Sequence, residues 1–203
     1  MAIVVPGKFI FLCTSHTHED IVSQALKKVP GAIVAVNKRK RLGMHARLEQ
    51  VREATSTKVC GLEKVFCFIR NPYDILVEWY LRQLPRFQLR RLAELKGREP
   101  TLLEFLHLWS DDDDWEEPYL YRGRIFYHAE QSQYILRYEK GLQNEVNALL
   151  RKIPDVSPVT IRQPAPDPER GHWSSYYDEE TYAFVNEKFK DDFVAHGYHF
   201  LWK

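Results

Sequence analysis

Cysteine is scarce: Cys13, Cys60 and Cys67 are the only three in 203 residues. An odd count in so long a chain excludes a disulfide scaffold and fits a reducing compartment. Their spacing suits no common metal site, so no metal is expected. Cys13 and Cys67 read as small hydrophobes on buried strands. Long apolar runs are missing too, and none approaches the ~18 residues of a membrane span. The opening MAIVVPGK is apolar for only a few residues before Pro6, Gly7 and Lys8. That is no signal peptide, and the expectation is a cytoplasmic chain without a membrane partner. Nor is there an excess of either charge. The 29 Lys+Arg and 28 Asp+Glu leave a net +1, which gives no argument for a nucleic-acid partner. Internal repeats and low-complexity tracts are absent.

Apolar content is ordinary: 44% hydrophobic and 13% aromatic residues exclude disorder as the dominant state. A chain of this length can bury roughly 70% of the surface its unfolded form exposes, so a single domain over residues 1–203 is expected. Lys8 to Cys13 reads as a buried strand, nearly apolar throughout, as in a parallel sheet covered on both faces. Ile21, Val22, Ala25 and Leu26 then recur at helical spacing until Pro30-Gly31. Ala32 to Val36 and Val65 to Ile69 read as further strands, with a short helix over 45–54 between them. A helix is predicted from Pro72, ended or kinked by Pro85, and another around Leu102 to Leu108. Asp111 to Asp114 with Glu116 and Glu117 reads as a solvated loop. Phe126-Tyr127 and Tyr134 to Tyr138 read as strand pieces, and Leu142 to Ile153 as a helix. The five prolines between Pro154 and Pro168 predict a wandering surface segment. Asp178 to His196 carries Tyr182, Val185, Phe189 and Phe193 on one helical stripe, with Gly197 as its C-terminal cap. Strands alternating with helices in the first 70 residues argue for an α/β sheet with helices on both faces.

In such a sheet, ligands bind where strands end and helices begin. Two of these turns are chemically loaded. The first runs Cys13-Thr14-Ser15-His16-Thr17-His18-Glu19-Asp20. Hydroxyls, imidazoles and backbone N–H groups at a helix start can hold an anion. The same residues also read as plain capping, with Thr17 as N-cap and Asp20 three residues on. A His16-x-His18 pair without a third ligand nearby does not make a metal site. The second turn is Phe68-Ile69-Arg70-Asn71-Pro72-Tyr73-Asp74. Asn71 is a good N-cap and Pro72 suits the first helical position. Neither explains Arg70, at the end of an apolar strand. Its planar fork can grip a phosphate, or it can form an ion pair with Asp74 or Glu78.

At these residues the chain resembles the P-loop sulfotransferases, particularly the carbohydrate type. Phe66-Cys67-Phe68-Ile69-Arg70-Asn71-Pro72-Tyr73-Asp74, running on to Tyr80, looks like the family's F-x-F-V-R-N-P-Y-D segment. His45 to Val51 is similar to a stretch upstream of it, and Tyr134-Ile135-Leu136-Arg137-Tyr138-Glu139 to its Y-I-L-R-Y-E. The C-terminal run from Tyr177-Asp178-Glu179-Glu180-Thr181 to Gly197-Tyr198-His199-Phe200 is also similar. The resemblance implies a parallel-sheet P-loop-type fold that binds 3′-phosphoadenosine-5′-phosphosulfate (PAPS) and transfers its sulfuryl group to a hydroxyl or amine. The acceptor would be a small molecule or a glycan.

Carried over, the resemblance places the 5′-phosphosulfate on Ser15, His16, Thr17 and His18, and the 3′-phosphate on Arg70 and position 78. His45 falls where a general base would act, and His16 where a lysine steadies the leaving phosphate. Glu78 stands in place of a serine, and Ile75 in place of a second arginine. A carboxylate about 4 Å from a phosphate charge costs roughly 4 kcal/mol at an effective dielectric near 20. The other reading is therefore a sulfotransferase-like protein that binds a nucleotide or glycan without transfer. Lys38-Arg39-Lys40-Arg41 adds positive charge that would attract an acidic acceptor, or forms an ordinary solvated loop.

Overall fold

The computed structural model describes residues 2–14, 16–35, 47–55, 61–84, 94, 96–110, 124–162, 164 and 170–202. Five strands and seven α-helices lie among them, an α/β arrangement. The chain falls into two compact units, residues 1–70 with 126–165, and residues 71–125 with 166–203.

The first unit holds the sheet. Strands β1 (Ala2–Val5), β2 (Phe9–Leu12), β3 (Ile33–Ala35), β4 (Lys64–Ile69) and β5 (Tyr134–Arg137) are ordered β3-β1-β2-β4-β5. The parallel sheet expected from the sequence is corrected here, because β1 runs antiparallel to both β2 and β3. The cause is local. Lys8 N donates to Val5 O at 3.0 Å, closing a turn in which proline presets one central residue and Gly7 takes φ 70° at the other. Glu63, only 2% exposed, fastens that turn by accepting from Gly7 N at 2.8 Å and Gly61 N at 2.9 Å. The segment read as a short apolar lead-in is thus a sheet strand. β2 and β4 pair in parallel, as do β4 and β5.

Alternation along the strands divides the apolar residues between two buried faces. Phe9, Phe11, Phe66 and Phe68 share one of them, with ring centroids 5.2 to 6.4 Å apart across β2 and β4. Helices α1 (Glu19–Leu26) and α5 (Leu142–Leu150) contribute to that core through residues such as Val22, Leu26 and Val146. Ile10, Leu12, Val65, Cys67 and Ile69 alternate with them and are equally buried. This two-sided burial is why the strands read as continuous apolar runs. Helix α2 (Leu48–Ala54) belongs to the same unit, its first N–H groups taken by Gln50 and Gln131. Residues Phe126-Tyr127, expected to be extended, form a turn that leads into the short helix Ala129–Gln131.

The second unit contains α3 (Pro72–Gln83), α4 (Leu102–Ser110), α6 (Glu179–Lys188) and α7 (Lys190–His196). Asn71 caps α3 by accepting from Tyr73 N at 3.0 Å, with Pro72 following it. Thr101 and Glu104 cap α4 reciprocally at 3.2 and 2.8 Å, a Thr-x-x-Glu box legible in the sequence. The helix expected over Asp178 to His196 is two helices, broken where Phe189 takes φ −110° and ψ 20°. Tyr182, Val185, Phe189 and Phe193 stay buried through the break, so the apolar stripe is continuous. Gly197 ends α7 at φ 64°. Tyr73 is a hub: its hydroxyl donates to Asn186 Oδ1 and accepts from Leu201 N, and Trp173 stacks on its ring at 5.4 Å. Asp192, fully buried, accepts from Arg124 Nε at 3.1 Å and Ile125 N at 2.8 Å.

Candidate functional site

Sheet register brings the two loaded turns together. Phe11 pairs with Phe66 in the parallel β2–β4 ladder. Continued past the strand end, that register sets Thr14 level with Ile69, the residue before Arg70. Ile69 pairs with Arg137 in the β4–β5 ladder, which sets Arg70 level with Tyr138. The side chains follow. Arg70 Nη1 donates to His16 O at 3.0 Å, and its guanidinium carbon lies 4.5 Å from the centre of the Tyr138 ring. The His18 ring stacks on Tyr138 at 5.6 Å with 25° between planes. Arg70 is only 4% exposed. His16, His18, Arg70 and Tyr138 therefore form one cluster, and all four belong to the first unit.

The turn itself is strained. His16 and His18 take φ 58° and 54°, a left-handed conformation uncommon for any residue but glycine, costing roughly 1–2 kcal/mol each. Strain of this kind collects at functional turns. The capping-box reading is corrected: His18, not Thr17, is the N-cap of α1, and it makes no side-chain capping bond. The left-handed His18 moves the helix start one residue on. Thr17 instead turns its hydroxyl back and donates to Thr14 O at 2.7 Å. Glu19, the first helical residue, is buried beside the turn. Cys13 Sγ lies 3.3 Å from Ser23 Oγ. Burial pushes the Cys13 thiol up to about 11, against a smaller lowering by Ser23, so this sulfur stays protonated and is no nucleophile.

Glu78 lies in the second unit, on α3. Its carboxylate accepts from Arg82 Nη2 at 2.7 Å and from Arg170 Nη1 at 3.0 Å. Arg170 also pairs with Asp74, through both its carboxylate and its backbone carbonyl. Arg170 was not singled out in the sequence, and its Pro-rich surroundings give no signal for it. Tyr138 was read as part of a strand and of the Tyr134 to Glu139 resemblance, without a role of its own. Ser15, His45, Cys60 and the Lys38 to Arg41 run lie outside the described residues.

No family model, curated protein or solved structure matches this chain. Among the described residues no His, Cys, Asp and Glu group could hold a metal ion. No helix among them is long and apolar enough to cross a membrane.

The cluster gathers groups that favour negative charge. A guanidinium, the His18 imidazole and the start of α1 meet at one turn, and both a helix start and a planar fork favour negative charge. Glu19 offsets part of that charge.

Proposed function

We propose that this chain is a P-loop-type sulfotransferase, transferring a sulfuryl group from PAPS to a hydroxyl or amine of a small molecule or glycan. The observation that carries the reading is the hydrogen bond from Arg70, at the tip of β4, to His16 in the turn between β2 and α1. Two phosphates of one nucleotide need two cationic turns within a single reach, and this contact makes the two turns neighbours. The donor group fits the turn in one respect: α1 begins without a side-chain cap.

In this reading PAPS supplies an activated S–O bond, which the acceptor oxygen or nitrogen replaces in line while its proton goes to a base. The protein's part is positioning and charge stabilisation. Arg70 holds the 3′-phosphate. The backbone of the turn from Ser15 to His18 wraps the 5′-phosphate, and a protonated His16 steadies the charge that gathers there as the bond breaks. His45 is the proposed base.

A second reading, binding of a nucleotide or glycan without transfer, is favoured by Glu78, a carboxylate where the resemblance expects the serine of a 3′-phosphate site. Its oxygens accept from Arg82 and Arg170. Titration calorimetry with 3′,5′-ADP decides whether the site takes this nucleotide at all. Micromolar binding, weakened at least tenfold in Arg70→Lys with the fold intact by circular dichroism, supports the site, because lysine cannot reproduce the bidentate fork. Absence of binding sinks the PAPS reading. Sulfate transfer from PAPS to a panel of hydroxyl and amine acceptors, followed by mass spectrometry, then separates transfer from binding alone.

A further inference from the structure

Tyr138 has two neighbours that ordinary core packing does not require. Its ring carries the Arg70 guanidinium at 4.5 Å and the His18 imidazole at 5.6 Å. One comes from the end of β4 and the other from the residue before α1. We infer that Tyr138 is a positioning residue of the anion site, a π-platform that fixes both groups at once; this rests on the reading of the turn given above.

A guanidinium held over an aromatic face can direct N–H donors past the ring. The aromatic face thus orients Arg70 toward the turn, where it meets the carbonyl of His16. An arginine side chain has many rotamers, and a charged group that must search them binds an anion more weakly than one already in place. His18 needs holding for a different reason. Its left-handed backbone is uphill for a residue with a Cβ, and stacking its ring on Tyr138 favours that conformation over the relaxed one. Tyr138 itself is placed by the sheet: β5 ends at Arg137, and the parallel register with β4 carries the next residue level with Arg70. Both contacts are made by the ring, so phenylalanine should replace tyrosine here and leucine should not.

The test uses the full chain with Tyr138→Phe and Tyr138→Leu. Calorimetric titration with 3′,5′-ADP is expected to give a Kd within twofold of the parent for Tyr138→Phe. For Tyr138→Leu it should be about tenfold weaker, the size of a partly desolvated cation–π contact. The second measurement needs no ligand. The His18 ring protons, assigned with His18→Gln, should show an upfield ring-current shift in the parent and in Tyr138→Phe. Tyr138→Leu should lose that shift while its circular dichroism stays native. Parent-like binding by Tyr138→Leu, or an unmoved His18 resonance, overturns the inference. A parent protein that takes up no 3′,5′-ADP refutes the PAPS reading and with it any role of Tyr138 in that binding. The resonance arm then still reports whether the ring holds His18.

Discussion

Removing Arg170 tests the energetics of the second unit at its most charged point. Its guanidinium links Asp74 and Glu78, one turn apart on α3, and donates to the Asp74 carbonyl as well. Side-chain exposures are 16% for Arg170, 17% for Asp74 and 11% for Glu78, so water screens the cluster only in part. Arg170→Met keeps most of the apolar stem and deletes the charge. Breaking a fully buried pair costs about 3–5 kcal/mol, and residual exposure together with the Arg82 that remains on Glu78 brings the expectation to about 2–3 kcal/mol. In a chain of this size that corresponds to a fall in Tm of very roughly 5–10 °C. Asp74→Asn in the Arg170→Met background should recover part of the loss, since the stranded carboxylate is then gone, and the double-mutant cycle should show coupling above ~1 kcal/mol. Thermal melts by differential scanning calorimetry provide the readout. A Tm drop under ~1 °C, or additive single and double variants, would show that the cluster is a solvated surface network contributing little.

Four further outcomes follow from the same geometry. Phe66→Ala removes the ring that contacts both Phe9 and Phe11 and should cost about 3–5 kcal/mol in urea denaturation; under 1 kcal/mol would mean that the sheet face repacks freely. Gly7→Ala has open space for its Cβ but sits at φ 70°, so only backbone strain of about 1 kcal/mol should appear. Burial raises both Cys13 and Cys67 to about 11. In a Cys60→Ser background neither should react with a disulfide reagent at pH 8 until the protein unfolds. Because those folded values lie above the ordinary 9.0, the unfolded chain binds fewer protons between pH 9 and about 11. Stability should therefore fall as pH rises through that window, with Tyr80, raised to about 12 by burial, extending the loss upward.

How much of this was legible depends on which interactions define it. Val65 to Ile69, Leu142 onward and the Asn71-Pro72 start of α3 carry their own signals: a continuous apolar run, a helical period and a cap. Each matches an observed element to within a few residues. The β1 hairpin was missed because four apolar residues before Pro-Gly are equally a lead-in, and only pairing partners far along the chain make them a strand. The break at Phe189 was missed because the apolar stripe runs straight through it. At the candidate site, Arg70 and the turn from Cys13 to His18 stood out as residues that local structure did not fully explain. Their meeting was expected only from the family resemblance, for it depends on the register of parallel ladders, which no local pattern encodes. Tyr138 is the clearest case. It looks like the end of a strand until the β4–β5 pairing sets it beside Arg70.

The position of β1 has one more consequence. Among the described residues β3 is hydrogen-bonded to the sheet through β1 alone. Clipping the first seven residues would therefore unzip two strands rather than one, and would leave the backbone of β2 open along the side that faced the hairpin.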